Sequence, residues 1–257
     1  MSPRARCEQA LETDPPPEVC VYDPTLPPPS PLLSHQIYVE VERARLTRML
    51  SSYRESQNDL KGAAEILQEL QVETYGSMDK REKTDFILEQ MRLLLAVKDY
   101  TRTLIISRKI NVKFFKDEEN QDLKLRYYRL MIEYATHQDE YLNICKYWRE
   151  IYDTPATKAD EAQWKDALRN VVSYVLLAPY DSEQSDLIHR IEADTNLEQL
   201  EAYKNLTSIF TKSDLARWPK LEELYGPTLK ATKTFDLKDD KGVKRWQELH
   251  KRVVEHV

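Results

Sequence analysis

The sequence predicts an all-α protein, a right-handed α-solenoid of stacked helical hairpins of the kind found in tetratricopeptide repeats. Three observations support this prediction. Only four of the 257 residues are glycine, while Leu, Glu, Lys, Gln and Arg, which favour helices, are abundant. From residue 35 onward apolar residues recur at helical spacing. One block of sequence also returns roughly every 40 residues, a period typical of two-helix repeats.

The first 34 residues differ from the rest of the chain. Most of the thirteen prolines precede residue 32, in stretches such as PPPEVCVYDPTLPPPSP. Proline has no backbone N–H and cannot continue a helix, and the few apolar residues of this segment offer no core. We therefore predict a disordered, proline-rich leader over residues 1–34 and a helical-repeat solenoid over residues 35–257.

Amphipathic stripes indicate the long helices of the repeat. Apolar side chains at the spacing i, i+4, i+7 and i+11 share one helix face. Two such stripes are Leu123, Tyr127, Leu130 and Tyr134, and Trp164, Leu168, Val171 and Val175.

The repeat itself is visible in three blocks, NDLKGAAEILQEL (58–70), KDYTRTLIISRKI (98–110) and DEYLNICKYWREI (139–151), which align at offsets of 40 and 41 residues. Each block has an acidic residue before its first apolar one and closes on Leu or Ile. The unit is thus a long helix, a tight turn and a shorter helix, and stacking of units supplies the core. The residues predicted to pack in these hairpins are Leu60, Ala64, Ile66, Leu70, Tyr100, Ile106, Ile110, Tyr141, Tyr147 and Ile151.

A fourth, partial copy follows, with Leu187, Ile188 and Ile191 in register. Its boundary is marked by Ala178-Pro179, and we expect Asp181 to cap the next helix with Gln184 reaching back, as in a capping box. Further helices are predicted over 197–212, 213–230 and 241–257.

The last of these helices carries Trp246, Leu249 and Val253 on one stripe. We predict that this stripe is at least partly exposed and forms a possible partner contact. Aromatic pairs such as Tyr127/Tyr128, Tyr147/Trp148 and Phe114/Phe115 have two readings, a peptide-binding groove or packing between repeats. Their helical spacing favours packing.

The sequence contains no recognisable catalytic or metal-binding motif. The five histidines and three cysteines have no metal-ligand spacing, and no glycine-rich loop could hold a phosphate. Carboxylates alternate with Lys and Arg, as in REKTDFILEQ, which is typical of a solvated helix face. We predict no catalytic, cofactor-binding or metal-binding residue and therefore no enzyme.

The charge and cysteine content limit the partners and the compartment. The net charge of −6 gives no electrostatic reason to bind nucleic acid or an anionic membrane. An odd number of cysteines, without a secretory signal or an apolar run long enough to span a membrane, indicates a reducing compartment.

Long strings of this sequence resemble the family of proteasome non-ATPase regulatory subunit 12, a PCI-family lid subunit. They include IYVEVERARLTRML, EILQELQVETYGSM, FILEQMRLLLAVKDY, KINVKFF, YVLLAPYDSEQSDLIHRI and RWQELHKRVVEHV. The similarity runs from about Gln36 to Val257. It implies an α-solenoid that leads into the helical part of a PCI module, with the family's N-terminal repeats and C-terminal winged helix missing from this chain.

The resemblance also implies a function. Members of this family are non-catalytic scaffolds of the proteasome regulatory-particle lid, in the cytoplasm and nucleus, and serve ubiquitin-dependent degradation. Implied partners are other lid subunits, including the deubiquitinase pair, the ATPase ring and the rim of the core particle. Two alternatives stay open: the corresponding scaffold subunit of the signalosome, and a free-standing helical-repeat adaptor that binds peptides.

Overall fold

A computed structural model describes residues 39–212 and 217–256 of the chain. The chain divides into two compact units, Met1–Arg43 and Ala44–Val257. Of the first unit only residues 39–43 are described, and they include the first turn of the first helix. The predicted leader, 1–34, and the start of the predicted helix 213–230 lie outside the described residues.

The described ranges form twelve α-helices joined by loops and short 3-10 turns, without a β-strand, which confirms the predicted all-α class. The helices are α1 (Glu40–Ser56), α2 (Leu60–Gln68), α3 (Lys80–Ala96), α4 (Tyr100–Ser107), α5 (Gln121–Gln138), α6 (Tyr141–Tyr152), α7 (Pro155–Lys158), α8 (Glu161–Leu177), α9 (Ser182–Glu192), α10 (Glu201–Thr211), α11 (Trp218–Lys230) and α12 (Asp240–His256).

Long and short helices alternate as the sequence repeat predicts. Helices α1, α3 and α5 have 17, 17 and 18 residues, whereas α2, α4 and α6 have 9, 8 and 12. The short helices begin at Leu60, Tyr100 and Tyr141, the first apolar residue of each aligned block. The hairpin repeat is therefore confirmed, and its helix starts are in register.

The three hairpin turns share one backbone conformation. Asn58, Lys98 and Asp139 adopt left-handed φ values of 62°, 65° and 57°. In each turn the next residue donates its N–H to a carbonyl five residues earlier, which is the main bond of a Schellman motif. These bonds join Asp59 to Arg54, Asp99 to Leu94 and Glu140 to Ala135, at 3.0, 2.9 and 3.1 Å.

The acidic residue after the left-handed position also starts the next helix. The carboxylate of Asp59 accepts a hydrogen bond from the Gly62 amide at 2.9 Å, and that of Asp99 accepts one from the Arg102 amide at 3.0 Å. Glu140, at the third turn, makes no such side-chain bond. In the first two hairpins one residue thus ends a long helix and caps a short one.

Polar side chains fix the way in which the hairpins stack. The buried amide Nε2 of Gln90 donates to the carbonyls of Leu67 and Leu70, at 2.7 and 3.0 Å, and so ties α3 to the end of α2. The hydroxyl of Ser51 on α1 donates to the Ala63 carbonyl at 3.0 Å. A single hairpin cannot bury its apolar face alone, so the stacked hairpins share one apolar core. Its most deeply buried large side chains include Leu67, Phe86, Leu88, Met91, Leu93, Ile144, Leu168, Leu176 and Leu177.

The fourth hairpin, α8 to α9, turns differently. Asp181 caps α9, as predicted, by accepting a hydrogen bond from the Ser182 amide at 2.7 Å. The expected capping box is wrong, because the buried Gln184 donates to the Val175 carbonyl at 3.2 Å instead. In a continuing helix that carbonyl would accept from residue 179, which is Pro179 and has no N–H. Gln184 supplies the missing donor.

Candidate interaction surfaces

Most of the residues predicted to pack in the hairpins are away from solvent. Ala64, Leu70, Ile106, Ile110, Tyr141 and Ile151 are buried, and Ile66, Tyr100 and Tyr147 are half-buried. Their alternation with exposed positions follows the helical period. The aligned blocks therefore mark the inner face of each short helix.

Leu60 is the exception, and its predicted core position is wrong: the side chain is 36% exposed. At the equivalent positions of the next hairpins, the ring of Tyr100 stacks on His137 at 3.6 Å and that of Tyr141 on Tyr174 at 6.5 Å. Those rings reach the following long helix. Leucine is shorter than tyrosine and leaves the same position partly open to solvent.

The paired aromatic residues pack between repeats at Phe115, Tyr127, Tyr128 and Tyr147, whereas Phe114 is half-buried and keeps an accessible side. Phe115, Tyr127 and Tyr128 are buried, and their rings lie 5.4 Å and 5.2 Å apart in sequence order. Tyr147 on α6 extends the cluster, 5.9 Å from Tyr128. Burial raises the pKa of Tyr127 to about 12, so its hydroxyl stays protonated and does not act as a base near neutral pH.

A continuous ion-pair ladder crosses the long helices. Its members are Arg48 and Glu55 on α1, Asp85, Glu89 and Arg92 on α3, and Arg126 on α5. The Asp85 carboxylate lies 2.5 Å from Arg48 Nη1 and 2.7 Å from Arg126 Nη1. Glu89 contacts Arg126 as well and lies 2.6 Å from Arg92, which in turn lies 2.6 Å from Glu55. Three consecutive hairpins are joined by these contacts.

The ladder is half-buried, with side chains that are 17% to 36% exposed. Burial by itself would raise the pKa of Glu89, but hydrogen bonding and charge from Arg92 and Arg126 outweigh it and lower the pKa. The pKa of Arg92 is raised, chiefly by its hydrogen bonds to Glu55 and Glu89. Glu89 and Arg92 therefore stay ionised near neutral pH.

From the sequence we interpreted the segment REKTDFILEQ as a solvated helix face. That interpretation is wrong for Asp85 and Glu89, whose side chains pair with arginines on neighbouring helices. A signal was present, because opposite charges recur 37 residues apart, roughly one helical turn less than the repeat. The pairs are Arg45 with Glu82, Arg48 with Asp85, Glu55 with Arg92, and Glu89 with Arg126. Charge pattern along a single helix cannot reveal them.

The stripe on the last helix is mostly covered. Leu249 and Val253 are 0% and 1% exposed, so the expectation of an exposed stripe is wrong for both. Trp246 is half-buried, with its ring 5.2 Å from that of Trp218 and 5.8 Å from that of Phe235. Helix α11 and the 3-10 turn after it pack on α12 and shield the stripe. Of the three predicted contact residues, only Trp246 keeps an accessible edge.

Other large apolar side chains are exposed. Leu46 and Met49, about one turn apart on α1, are 65% and 63% exposed, Ile105 on α4 is 56% exposed, and Tyr180 after α8 is 78% exposed. Helical spacing predicts that such residues share a face, but it does not tell which faces a neighbour covers. These four residues are candidate contact points that the sequence did not identify.

Metal ligands and thiol chemistry can be examined directly in the described residues. No group of three or more His, Cys, Asp or Glu residues within them could hold a metal ion. Cys145 is fully buried, and burial raises the pKa of its thiol to about 12, so it is not a nucleophile near neutral pH. None of the helices in these ranges combines the length and apolar character needed to cross a membrane.

The fold defines a class, an all-α protein built from stacked helical hairpins. The chain belongs to the PSMD12/CSN4 N-terminal family, whose model matches residues 32–160. The match includes the first three hairpins.

Relatives extend the similarity over most of the chain. The 26S proteasome regulatory subunit rpn501 of Schizosaccharomyces pombe is 51% identical over 221 residues, which are 86% of this chain and 50% of that protein. RPN5 of Saccharomyces cerevisiae is 44% identical over 222 residues, again 86% of this chain and 50% of the relative. The 26S proteasome non-ATPase regulatory subunit 12 of Dictyostelium discoideum is 41% identical over 221 residues, which are 86% of this chain and 48% of that protein. The chain spans about half the length of these relatives.

Proposed function

We propose that this chain is a non-catalytic structural subunit of the proteasome regulatory-particle lid, which contributes to ubiquitin-dependent degradation by holding neighbouring subunits in place. The main support is sequence identity to two relatives named as 26S proteasome regulatory subunits. The identity is 51% to one and 44% to the other, each over 86% of this chain. Identity over such a length includes both core positions and surface positions. A chain that takes the same place in an assembly as its relatives needs both to be similar.

The physical character of the hairpins supports a scaffold role. The ion-pair ladder and the Gln90 and Ser51 bonds link successive hairpins through many weak contacts. A repeat array held this way keeps exposed residues at fixed separations, which suits the positioning of partners. Exposed apolar residues such as Leu46, Met49 and Ile105 provide candidate contact points.

The proposed partners are other lid subunits, including the deubiquitinase pair, together with the ATPase ring and the rim of the core particle. The proposed location is the cytoplasm and nucleus, where these assemblies act. No cofactor is required for such a role.

The test is affinity purification with mass spectrometry from Saccharomyces cerevisiae cells that express the tagged 257-residue chain. We expect lid and ATPase subunits to co-purify, and native gels to show the tag in proteasome-sized bands. Lys61→Ala, an exposed site, should keep this association, whereas Ala64→Arg, which disrupts hairpin packing, should lose it. A tagged chain that folds but captures no proteasome subunit would overturn the proposal.

A second candidate function has one specific observation in its favour. The description of the matching family joins PSMD12 with CSN4, so a signalosome scaffold shares this fold. The relatives named above are all proteasomal, which favours the lid. A purification from cells that contain both complexes distinguishes the two, because ATPase subunits belong to the proteasome alone.

A further inference from the structure

A groove opens beside the second hairpin, away from the ion-pair ladder. It lies between the 3-10 turn at Val72–Thr74, the first turns of α3, and the connection from α4 to α5. It has a volume of about 410 Å³. We call it the lysine groove, after the four lysines that line it: Lys80, Lys83, Lys109 and Lys113.

The lysine groove carries positive charge that the described chain does not neutralise. Two carboxylates line it, and one of them, Glu73, is paired with Lys109. The ammonium groups of Lys80, Lys83 and Lys113 have no hydrogen bond or ion pair with described residues. Four lysines against two carboxylates leave a local charge of +2 on a chain whose net charge is −6.

The floor of the lysine groove is apolar. Ile87 and Ile110 are 4% and 8% exposed, and Phe114 beside them is half-buried. A ligand that fits both features has carboxylates for the lysine rim and an apolar side chain for the floor. Apolar contact supplies affinity, while charge complementarity supplies orientation and association rate.

Two other features of the lysine groove disfavour a phosphate or a nucleic acid as the ligand. Among the described residues that line the groove there is no arginine, the side chain that holds phosphate in a bidentate fashion. The N-terminus of α3 nearby is occupied, because the Asp79 carboxylate accepts a hydrogen bond from the Arg81 amide at 2.9 Å. That carboxylate also repels an anion at the helix end.

We propose that the lysine groove binds an acidic segment of a partner protein, in which Asp or Glu residues flank an apolar side chain. Lys80, Lys83 and Lys113 contact the carboxylates, and the apolar residue rests on Ile87 and Phe114. The proposal deepens the scaffold function above by giving the chemistry of one partner. Its test uses the purified chain alone, so its failure leaves proteasome assembly untouched.

The experiment measures fluorescence anisotropy of a labelled peptide in which Glu and Asp flank a central Leu–Phe pair, titrated with the full chain. We expect saturable binding that weakens with rising salt, because the contacts are ionic and exposed. The triple variant Lys80→Glu, Lys83→Glu, Lys113→Glu should weaken binding by about tenfold or more. The control Lys61→Glu changes an exposed lysine outside the groove and should leave binding unchanged.

Two further measurements make the result decisive. Phe114→Ser should weaken binding of the Leu–Phe peptide but not of a peptide with Ser–Ser at its centre, and circular dichroism should show that every variant remains folded. Absence of saturable binding, or equal binding by the triple variant, would overturn the proposal. Stronger competition by an oligonucleotide or inorganic phosphate than by the unlabelled peptide would also overturn it, in favour of a polyanion site.

Discussion

The hairpin array, residues 44–177, and the C-terminal region, residues 182–256, are both helical but are held together by different kinds of contact. In the array the contacts recur: the same left-handed turn appears at Asn58, Lys98 and Asp139, and oppositely charged residues pair at a spacing of 37. The C-terminal region depends in part on contacts that are specific to one position. Helix α12, for example, approaches the backbone of Asp236 at Gly242.

Buried charge differs between the two regions in the same way. Carboxylates of the array lie between arginines on neighbouring helices. Arg245 on α12 is only 6% exposed and donates to the Thr234 carbonyl at 3.2 Å, with its guanidinium 5.8 Å from the Tyr174 ring. Recurring contacts spread stability over many replaceable pairs, whereas single contacts concentrate it at a few positions. The following substitutions test this difference.

The largest effect is expected in the core of the array. Ala64 is 6% exposed, and Ala64→Arg adds volume and an unpaired charge at a packed site. We expect the free energy of unfolding to fall by about 3 kcal/mol or more. Lys61→Ala, on the exposed side of the same helix, should stay within about 0.5 kcal/mol. Urea unfolding followed by circular dichroism measures both, and equal effects would contradict the assigned helix face.

The second test compares a glycine from each region. A Cβ at Gly242 would lie 1.9 Å from the Asp236 carbonyl oxygen, whereas a Cβ at Gly76 would meet nothing within 4 Å. Gly242→Ala should therefore cost about 1–3 kcal/mol through overpacking of α12. Gly76→Ala should be neutral or gain up to about 1 kcal/mol, because it restricts the unfolded chain. A loss of stability at Gly76 as large as at Gly242 would contradict the close approach of α12.

The third test concerns the ion-pair ladder. Glu89→Gln keeps the shape of the side chain but removes the charge that Arg92 and Arg126 share, and we expect a loss of about 1 kcal/mol at neutral pH. The pKa of Glu89 is lowered from 4.5, so its stabilisation is present above pH 4.5 and is lost as the pH falls through the folded-state pKa. Unfolding curves of the two proteins should converge in acid; a constant difference at every pH would contradict an ionic contribution.

The smallest effect is expected at a hairpin turn. Lys98 has a left-handed φ of 65°, which strains a side chain with a Cβ but not glycine. Lys98→Gly should raise the free energy of unfolding by about 0.5 kcal/mol, and the thermal unfolding midpoint should rise slightly with it. The gain is small because glycine also has greater freedom in the unfolded chain. The matched change Lys61→Gly, inside a helix, should instead lower stability by about 1 kcal/mol. Destabilisation at both positions would argue against the turn conformation.

Local sequence pattern was enough to predict the all-α class, the alternation of long and short helices, and the starts of the short helices at Leu60, Tyr100 and Tyr141. These features depend on local periodicity and on the hairpin repeat, which a chain carries within windows of about 40 residues. It also pointed to the family, because long strings of matching residues need no structure to be seen.

Local pattern could not predict which helix faces are covered, because that depends on tertiary packing. Packing buries Leu249 and Val253, leaves Leu46 and Met49 exposed, and pairs Asp85 with arginines on two other helices. The lysine groove likewise exists only where the turn at Val72–Thr74, the start of α3 and the connection from α4 to α5 meet. Amphipathic spacing sets the direction of a side chain from its own helix, whereas burial, ion pairing and groove shape depend on the element that lies opposite.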